Sequence, residues 1–308
     1  AVLKLSGIAD RARQHLPASA LLTTAFILGQ GLYMGVWVLL AMAAWFYPQV
    51  VISVMVISVL SGGYFVFRWS ISAKSEIINI FNDFKKESLF WKVLISLSLF
   101  TLLWYGVNAL VLPPLGDAEC TYMTLPKMIA GAHRMLLFPL STISTQYLAQ
   151  GEMHFAALLL FASPQGAKFF IWVISLSIIA MTVLLAQLVG VQHKGLWITL
   201  IILLNSTVFT GLIDNAKVDL VAAALGITAF YWAIQIHNFK NSSIFILTGF
   251  LTGLSIVSKA SYLPTILPSI FLFIVWRYPN WNKEIFSFIN LKTFLKIVLL
   301  FSTGFLIS

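Results

Sequence analysis

The chain has 308 residues, of which 60% are hydrophobic and only 9% charged, with a mean hydropathy of +0.94 and a net charge of +9. Soluble domains draw roughly half of their residues from the apolar set, so this composition excludes an ordinary water-soluble domain and calls for lipid as the main solvent. The positive balance does not point to nucleic acid, because no basic run is long enough to follow a phosphate backbone, and Cys120, the single cysteine, has no partner for an intrachain disulfide.

A membrane-spanning helix needs about 20 apolar residues, with shorter and longer variants. In chain order the runs 21–46, 50–67, 89–112, 169–188, 196–213, 220–236, 244–257, 263–276 and 294–307 fit that length or fall just short of it. The expectation is therefore an all-α polytopic membrane protein of about nine transmembrane helices. The stretch 153–161 is too short to span and reads as a helix lying at the interface. Residues 1–20 mix polar and basic side chains without a cleavage-like ending, so no signal peptide is expected. The chain stops at Ser308 inside an apolar run, which predicts that further C-terminal helices are missing.

Cytoplasmic loops of membrane proteins are enriched in Lys and Arg. With the N-terminus in the cytoplasm, 14 of the 19 basic residues fall inside and Lys127, Arg134, Lys168, Lys217 and Lys259 fall outside. Counting 153–161 as a span would reverse every later loop and spoil this asymmetry. The same layout puts Asp117, Glu119, Glu152, Asp214 and Asp219 outside, within two loops, 113–168 and 214–219. Residues 1–88 read as an added transmembrane hairpin with a basic cytoplasmic segment, and residues 89–308 as the main module.

The long outer loop opens with PPLGDAECTYMTLPK, residues 113–127. A carboxylate such as Asp117 at a membrane surface suits a general base toward a hydroxyl, if its surroundings tune it. With Glu119 it also suits a divalent cation, since hard cations take oxygen ligands. Read locally, the same Asp117 is an N-cap for a helix starting near Thr121. Lys127 and Arg134 are candidate phosphate contacts, a guanidinium being suited to bidentate oxyanion binding; as solvated or snorkelling ends they need no function. Glu152 and His154 open the expected interfacial helix, and two residues two apart do not share a helical face, so they are not spaced as a metal pair. Asp219 begins one span and Lys259 ends another on the same outer side. A lysine within membrane depth is costly and marks a candidate site.

These motifs, in this order, resemble the GT-C glycosyltransferases, in particular the bacterial branch similar to protein mannosyltransferases and lipid A aminoarabinose transferases. In that branch a span ends in Pro-Pro, followed by a Gly/Trp-Asp-Ala, a Tyr-His pair and a Pro-Lys. Here Gly116-Asp117-Ala118 and Pro126-Lys127 stand in register, and Thr121-Tyr122 replaces the Tyr-His pair. QGEMHFAALL is similar to the interfacial helix of the family, AKVDLVAAALG to its Asp-Leu span, and Gly249, Gly253, Leu254 and Ser258-Lys259 to its Gly-x-x-x-Gly-Leu-x-x-x-Thr-Lys span.

The resemblance covers residues 90–276 and implies a multi-span enzyme with a long outer loop containing interfacial helices. It implies an inverting hexosyl- or pentosyltransferase that moves a sugar from a polyprenyl-phosphate donor to a hydroxyl of a glycan, lipid or protein. Asp117 would be the base. Glu119, Tyr122, Lys127, Arg134, Glu152, Asp219 and Lys259 would bind substrates. No cofactor is required and a divalent metal is compatible. The implied location is the bacterial inner membrane, with the active site on the outer face. Two other readings compete: a lipid or solute transporter, which would place ionisable groups in broken helices near the midplane, and a non-catalytic scaffold with solvated acidic loops.

Overall fold

In lipid no water is at hand for backbone N–H and C=O groups, and a helix satisfies them internally. The computed structural model describes residues 16–136, 150–239 and 242–277, together with Leu3 and Leu299, and among these described residues all regular structure is helical. The helices are α1 (Ala18–Met42), α2 (Pro48–Lys86), α3 (Leu89–Val111), α4 (Thr124–Ala132), α5 (Met153–Leu159), α6 (Pro164–Leu188), α7 (His193–Asn205), α8 (Thr207–Ile213), α9 (Asp219–Phe239), α10 (Ser242–Ser258) and α11 (Leu263–Arg277). Pro48 and Pro164 start α2 and α6 at the position where a missing N–H costs nothing.

Four helices, α1, α2, α3 and α6, are long and apolar enough to cross a bilayer. The pair α7 and α8 passes the same test only jointly, bent by 62° at the break. Ser206 makes that break: its backbone is extended and its hydroxyl accepts the Phe209 N–H at 3.5 Å, starting a new helix. The apolar stretches Asp219–Gln235, Ser243–Ser258 and Ala260–Phe273 are shorter. By length and composition the structure thus supports four or five spans among the described residues; the other expected runs fall on the shorter apolar helices, and the expected run 294–307 lies, apart from Leu299, outside the described residues. Apolar runs have two solvents to choose from, lipid and protein. A helix apolar all round is buried, in a protein core or inside a membrane bundle, and α9, 21 residues long, is the case in point.

Along α9, Val221, Ala222, Ala224, Leu225, Ala229 and Trp232 are buried, and α10, α6, α1 and α11 pack around it. Small residues allow this closeness. A Cβ on Gly226 would lie 2.6 Å from Ile266 Cδ1, and one on Gly31 2.5 Å from Leu254 Cδ1. Polar bonds tie the same helices: Ser255 Oγ donates to the Ala222 carbonyl at 2.7 Å, and Trp232 Nε1 to Thr24 Oγ1 at 3.1 Å. The first helix therefore shares its core with helices from beyond residue 88. Its partner α2 runs unbroken for 39 residues, well past the expected end at residue 67. At about 1.5 Å per residue that is roughly 58 Å, about twice a hydrocarbon core of about 30 Å.

Side-chain bonds mark the two ends of the bundle. At one end the Glu76 carboxylate accepts from Ala18 N at 2.7 Å, Ser19 N at 3.2 Å and Ser19 Oγ at 2.5 Å, closing the start of α1. Further along α2, His193, at the start of α7, meets Glu87 at 3.0 Å and Asp83 at 3.6 Å. At the other end lies α5, on the stretch expected at the interface. Met153, His154, Phe155, Ala156 and Ala157 are all buried in protein, against α4, α6 and α1. Neighbouring helices cover its apolar face.

Candidate functional site

The site assembles from three separated segments at the end of the bundle where α3 and α10 finish. The first is the Pro-Pro loop. After Val111 the prolines cannot continue the helix, and Gly116 turns the chain with φ +58°, a region that glycine enters freely. Its carbonyl accepts from Glu119 N at 3.1 Å and Cys120 N at 3.0 Å, so Asp117 heads a π-helical turn, Ala118–Tyr122. Asp117 makes no side-chain cap bond there, and α4 starts only at Thr124. The capping explanation of Asp117 thus has no bond behind it, and the carboxylate is turned to another partner.

That partner is Lys217, from the second segment. Asn215 Nδ2 donates to the Leu115 carbonyl at 3.4 Å, joining the loop before α9 to the Pro-Pro loop. The buried Ala216 and Val218 anchor the loop on either side of Lys217. Lys217 Nζ then lies 3.0 Å from Asp117 Oδ2. The Lys217 ammonium, and after it the Thr121 hydroxyl, hold Asp117 below the ordinary carboxylate range.

The third segment follows α10. Lys259 is extended, with φ −155°, and its ammonium donates to Asp219 Oδ1 at 2.5 Å and to the Tyr122 hydroxyl at 2.9 Å. Burial works against this charge, but the bonds to Asp219 and Tyr122 outweigh it and raise the Lys259 pKa above that of a free lysine. The Tyr262 hydroxyl donates to the Asp219 carbonyl at 3.1 Å. Burial, and then the Asp219 charge, push the Tyr262 phenol up. The Tyr122 ring carries both ammoniums within cation–π reach, Lys259 at 5.2 Å from its centroid and Lys217 at 5.9 Å.

The result is one row, Asp117–Lys217–Tyr122–Lys259–Asp219, sinking from an Asp117 side chain 55% exposed to an Asp219 side chain 19% exposed. An ammonium has three donors. Lys259 spends two, and Lys217 one, on these partners, so both keep N–H groups for a ligand. Asp219 Oδ2 and Ser258 Oγ are buried and have no hydrogen-bond partner among the described residues. Unpaired buried polar atoms are costly, and a ligand that reaches them recovers that cost. The donor set suits an oxyanion such as phosphate. Among the described residues no three His, Cys, Asp or Glu side chains are grouped to hold a metal ion.

Other expected site residues stand apart from the row. Glu119 faces Lys127 at 3.9 Å, with both side chains about half exposed. Arg134 is exposed, just beyond His133, whose left-handed backbone ends α4, and among the described residues it joins no ion pair of the row. Glu152 is buried, and burial pushes its carboxyl up to about 8, with the Lys259 charge pulling the other way. Burial pulls His154 down to about 4; the Gln30 backbone hydrogen-bonds it, while its Nε2 has no partner among the described residues. Sequence reading placed Lys217 between the two acids of the second outer loop, a candidate wall of a charged cavity, but did not pair it with Asp117, because nothing in a linear pattern does. Nor did it pair Lys168, almost wholly buried at the start of α6, with Asp214 at 3.6 Å. Comparison of the chain with protein-family models, with curated proteins and with solved structures found no match.

Proposed function

We propose that the chain is a membrane glycosyltransferase that moves a sugar from a polyprenyl-phosphate donor to an acceptor hydroxyl, with inversion. The observation that carries this reading is the convergence of Asp117, Lys217, Tyr122, Lys259 and Asp219 from three distant segments at one end of an apolar bundle. The acceptor oxygen forms a bond to the sugar carbon as the bond from that carbon to the phosphate oxygen breaks. The hydroxyl proton passes to Asp117, which Lys217 keeps ionised at neutral pH. The polyprenyl phosphate leaves with the bonding electrons, and the free donors of Lys259 and Lys217 meet its charge where it develops.

The Lys and Arg distribution supports an outer-face site with a cytoplasmic N-terminus, and the resemblance supports the bacterial inner membrane. Asp117→Asn is close in shape and unable to accept the proton. It is expected to lower sugar transfer in reconstituted membranes by about 10²-fold or more, with the unfolding midpoint unchanged. Transfer at the native rate would remove Asp117 as the base.

The bent α7–α8 pair favours one other reading, since transporters build sites from broken helices. In that case proteoliposomes holding the protein would take up solute or flip lipid without any sugar transfer.

A further inference from the structure

Glu152 occupies a place beside the charged row that its position in sequence does not reveal. It ends the short 3₁₀ turn Gln150–Glu152. A Cβ on Gly151 would lie 2.6 Å from Ser258 Oγ, 3.2 Å from the Ser258 carbonyl and 3.1 Å from Val218 Cβ. The turn is therefore wedged between the residue preceding Lys259 and the residue preceding Asp219. A side chain there would force Ser258 or Val218 to shift. Glu152 itself is 6% exposed and makes no hydrogen bond or ion pair among the described residues. Among the described residues the charged group that acts on its carboxyl is Lys259, which is itself bound to Asp219, while Asp219 in turn takes the Tyr262 hydroxyl on its carbonyl; two positions on, His154 is buried and held neutral. Helix α10 carries no charged side chain, and α1 carries only Tyr33 as a titratable group.

An isolated ionised carboxylate is expensive to bury, and the group neutralises instead. A neutral carboxyl is a hydrogen-bond donor, which an ionised one is not. The row already contains an ionised carboxylate in Asp117, more exposed and tied to Lys217. Two carboxyl groups in environments that drive them to opposite protonation states divide the acid and base roles between them. We propose that Glu152 serves the row as a neutral carboxylic acid whose O–H donates to an oxygen of the phosphate held at Lys259. This rests on the reading of the row as a phosphate site. A bound dianion next to the carboxyl strengthens the preference for the O–H form, and the buried, unpartnered Ser258 Oγ beside Gly151 is a second donor to the same anion.

The test is binding of farnesyl phosphate, with inorganic phosphate in parallel, to the full protein in detergent between pH 7 and 9.5. The second ionisation of a phosphate monoester, near about 6, is complete in that window. Wild-type affinity should hold to about pH 8 and then fall by about tenfold per pH unit. Glu152→Gln keeps a donor without a titrating proton, and its affinity should stay flat and near the wild-type plateau. Glu152→Ala should bind at least tenfold more weakly at every pH. The infrared band of a protonated carboxyl at pH 7 should vanish in Glu152→Gln, whose unfolding midpoint reports its folding independently. Wild-type binding that is flat with pH, or a Gln variant as weak as Ala, overturns the role of Glu152 and leaves the phosphate site standing. Failure of wild type to bind either probe overturns the phosphate site itself and the proposal with it. If farnesyl phosphate binds more tightly than inorganic phosphate, the anion is lipid-borne.

Discussion

At the end of the bundle where α1 begins, charged side chains are spent on holding helices. Glu76 takes up the free N–H groups of Ala18 and Ser19, and His193 clasps Asp83 and Glu87 between α2 and α7. Each bond joins a side chain to a helix terminus or to a neighbouring helix, and Phe84 and Trp197 pack edge-on beside the clasp. At the opposite end the lysines and carboxylates sit on loops between helices, meet around Tyr122, and keep unspent donors and acceptors. The difference shows which charges a ligand can use: satisfied groups at helix ends stabilise the fold, and partly satisfied groups gathered from several loops have capacity left over.

That contrast can be broken first at Lys259. Lys259→Met strands a largely buried Asp219 and should destabilise the protein by about 3 kcal/mol, read as a lowered unfolding midpoint in detergent. The double variant with Asp219→Asn should recover most of it. The next effect is at Glu152. Its carboxyl sits at about 8 in the fold against 4.5 for the free group. A raised folded pKa contributes stability that is fully present below about 4.5 and is lost progressively as pH rises to about 8. Glu152→Gln should match wild type near pH 4.5 and exceed it by a few kcal/mol near pH 9, on the order expected from linkage. At the other end Glu76→Gln weakens the charge-assisted closure of α1 and should cost about 1 kcal/mol without changing farnesyl phosphate binding. The smallest effect is His193→Gln, about 0.5 kcal/mol or less for a pair with one exposed partner. A loss of phosphate binding in either of these last two variants would erase the distinction between the ends.

The lipid environment, the helical character and the stretch opening at Pro113 were legible from composition and punctuation alone. So were Asp117, Asp219 and Lys259 as candidates, because charges are scarce in an apolar chain and each of these sits at the edge of an apolar run. Lys217 was not legible as the partner of Asp117, since the two lie a hundred positions apart and meet only because Asn215 pins one loop to the other. Arg134 and Lys127 were also candidate phosphate contacts in sequence, behind Lys259, and they stand outside the row.

The sequence by itself determined that this chain folds in lipid as helices, because its long unbroken apolar runs satisfy their own backbone polar groups only as helices, whereas barrel strands alternate apolar and polar residues. Only the tertiary structure decided which apolar helices face lipid and which lie inside. It also decided which of the scattered charges share one site. Hydropathy measures aversion to water, and that aversion is met equally well by a bilayer or by another helix.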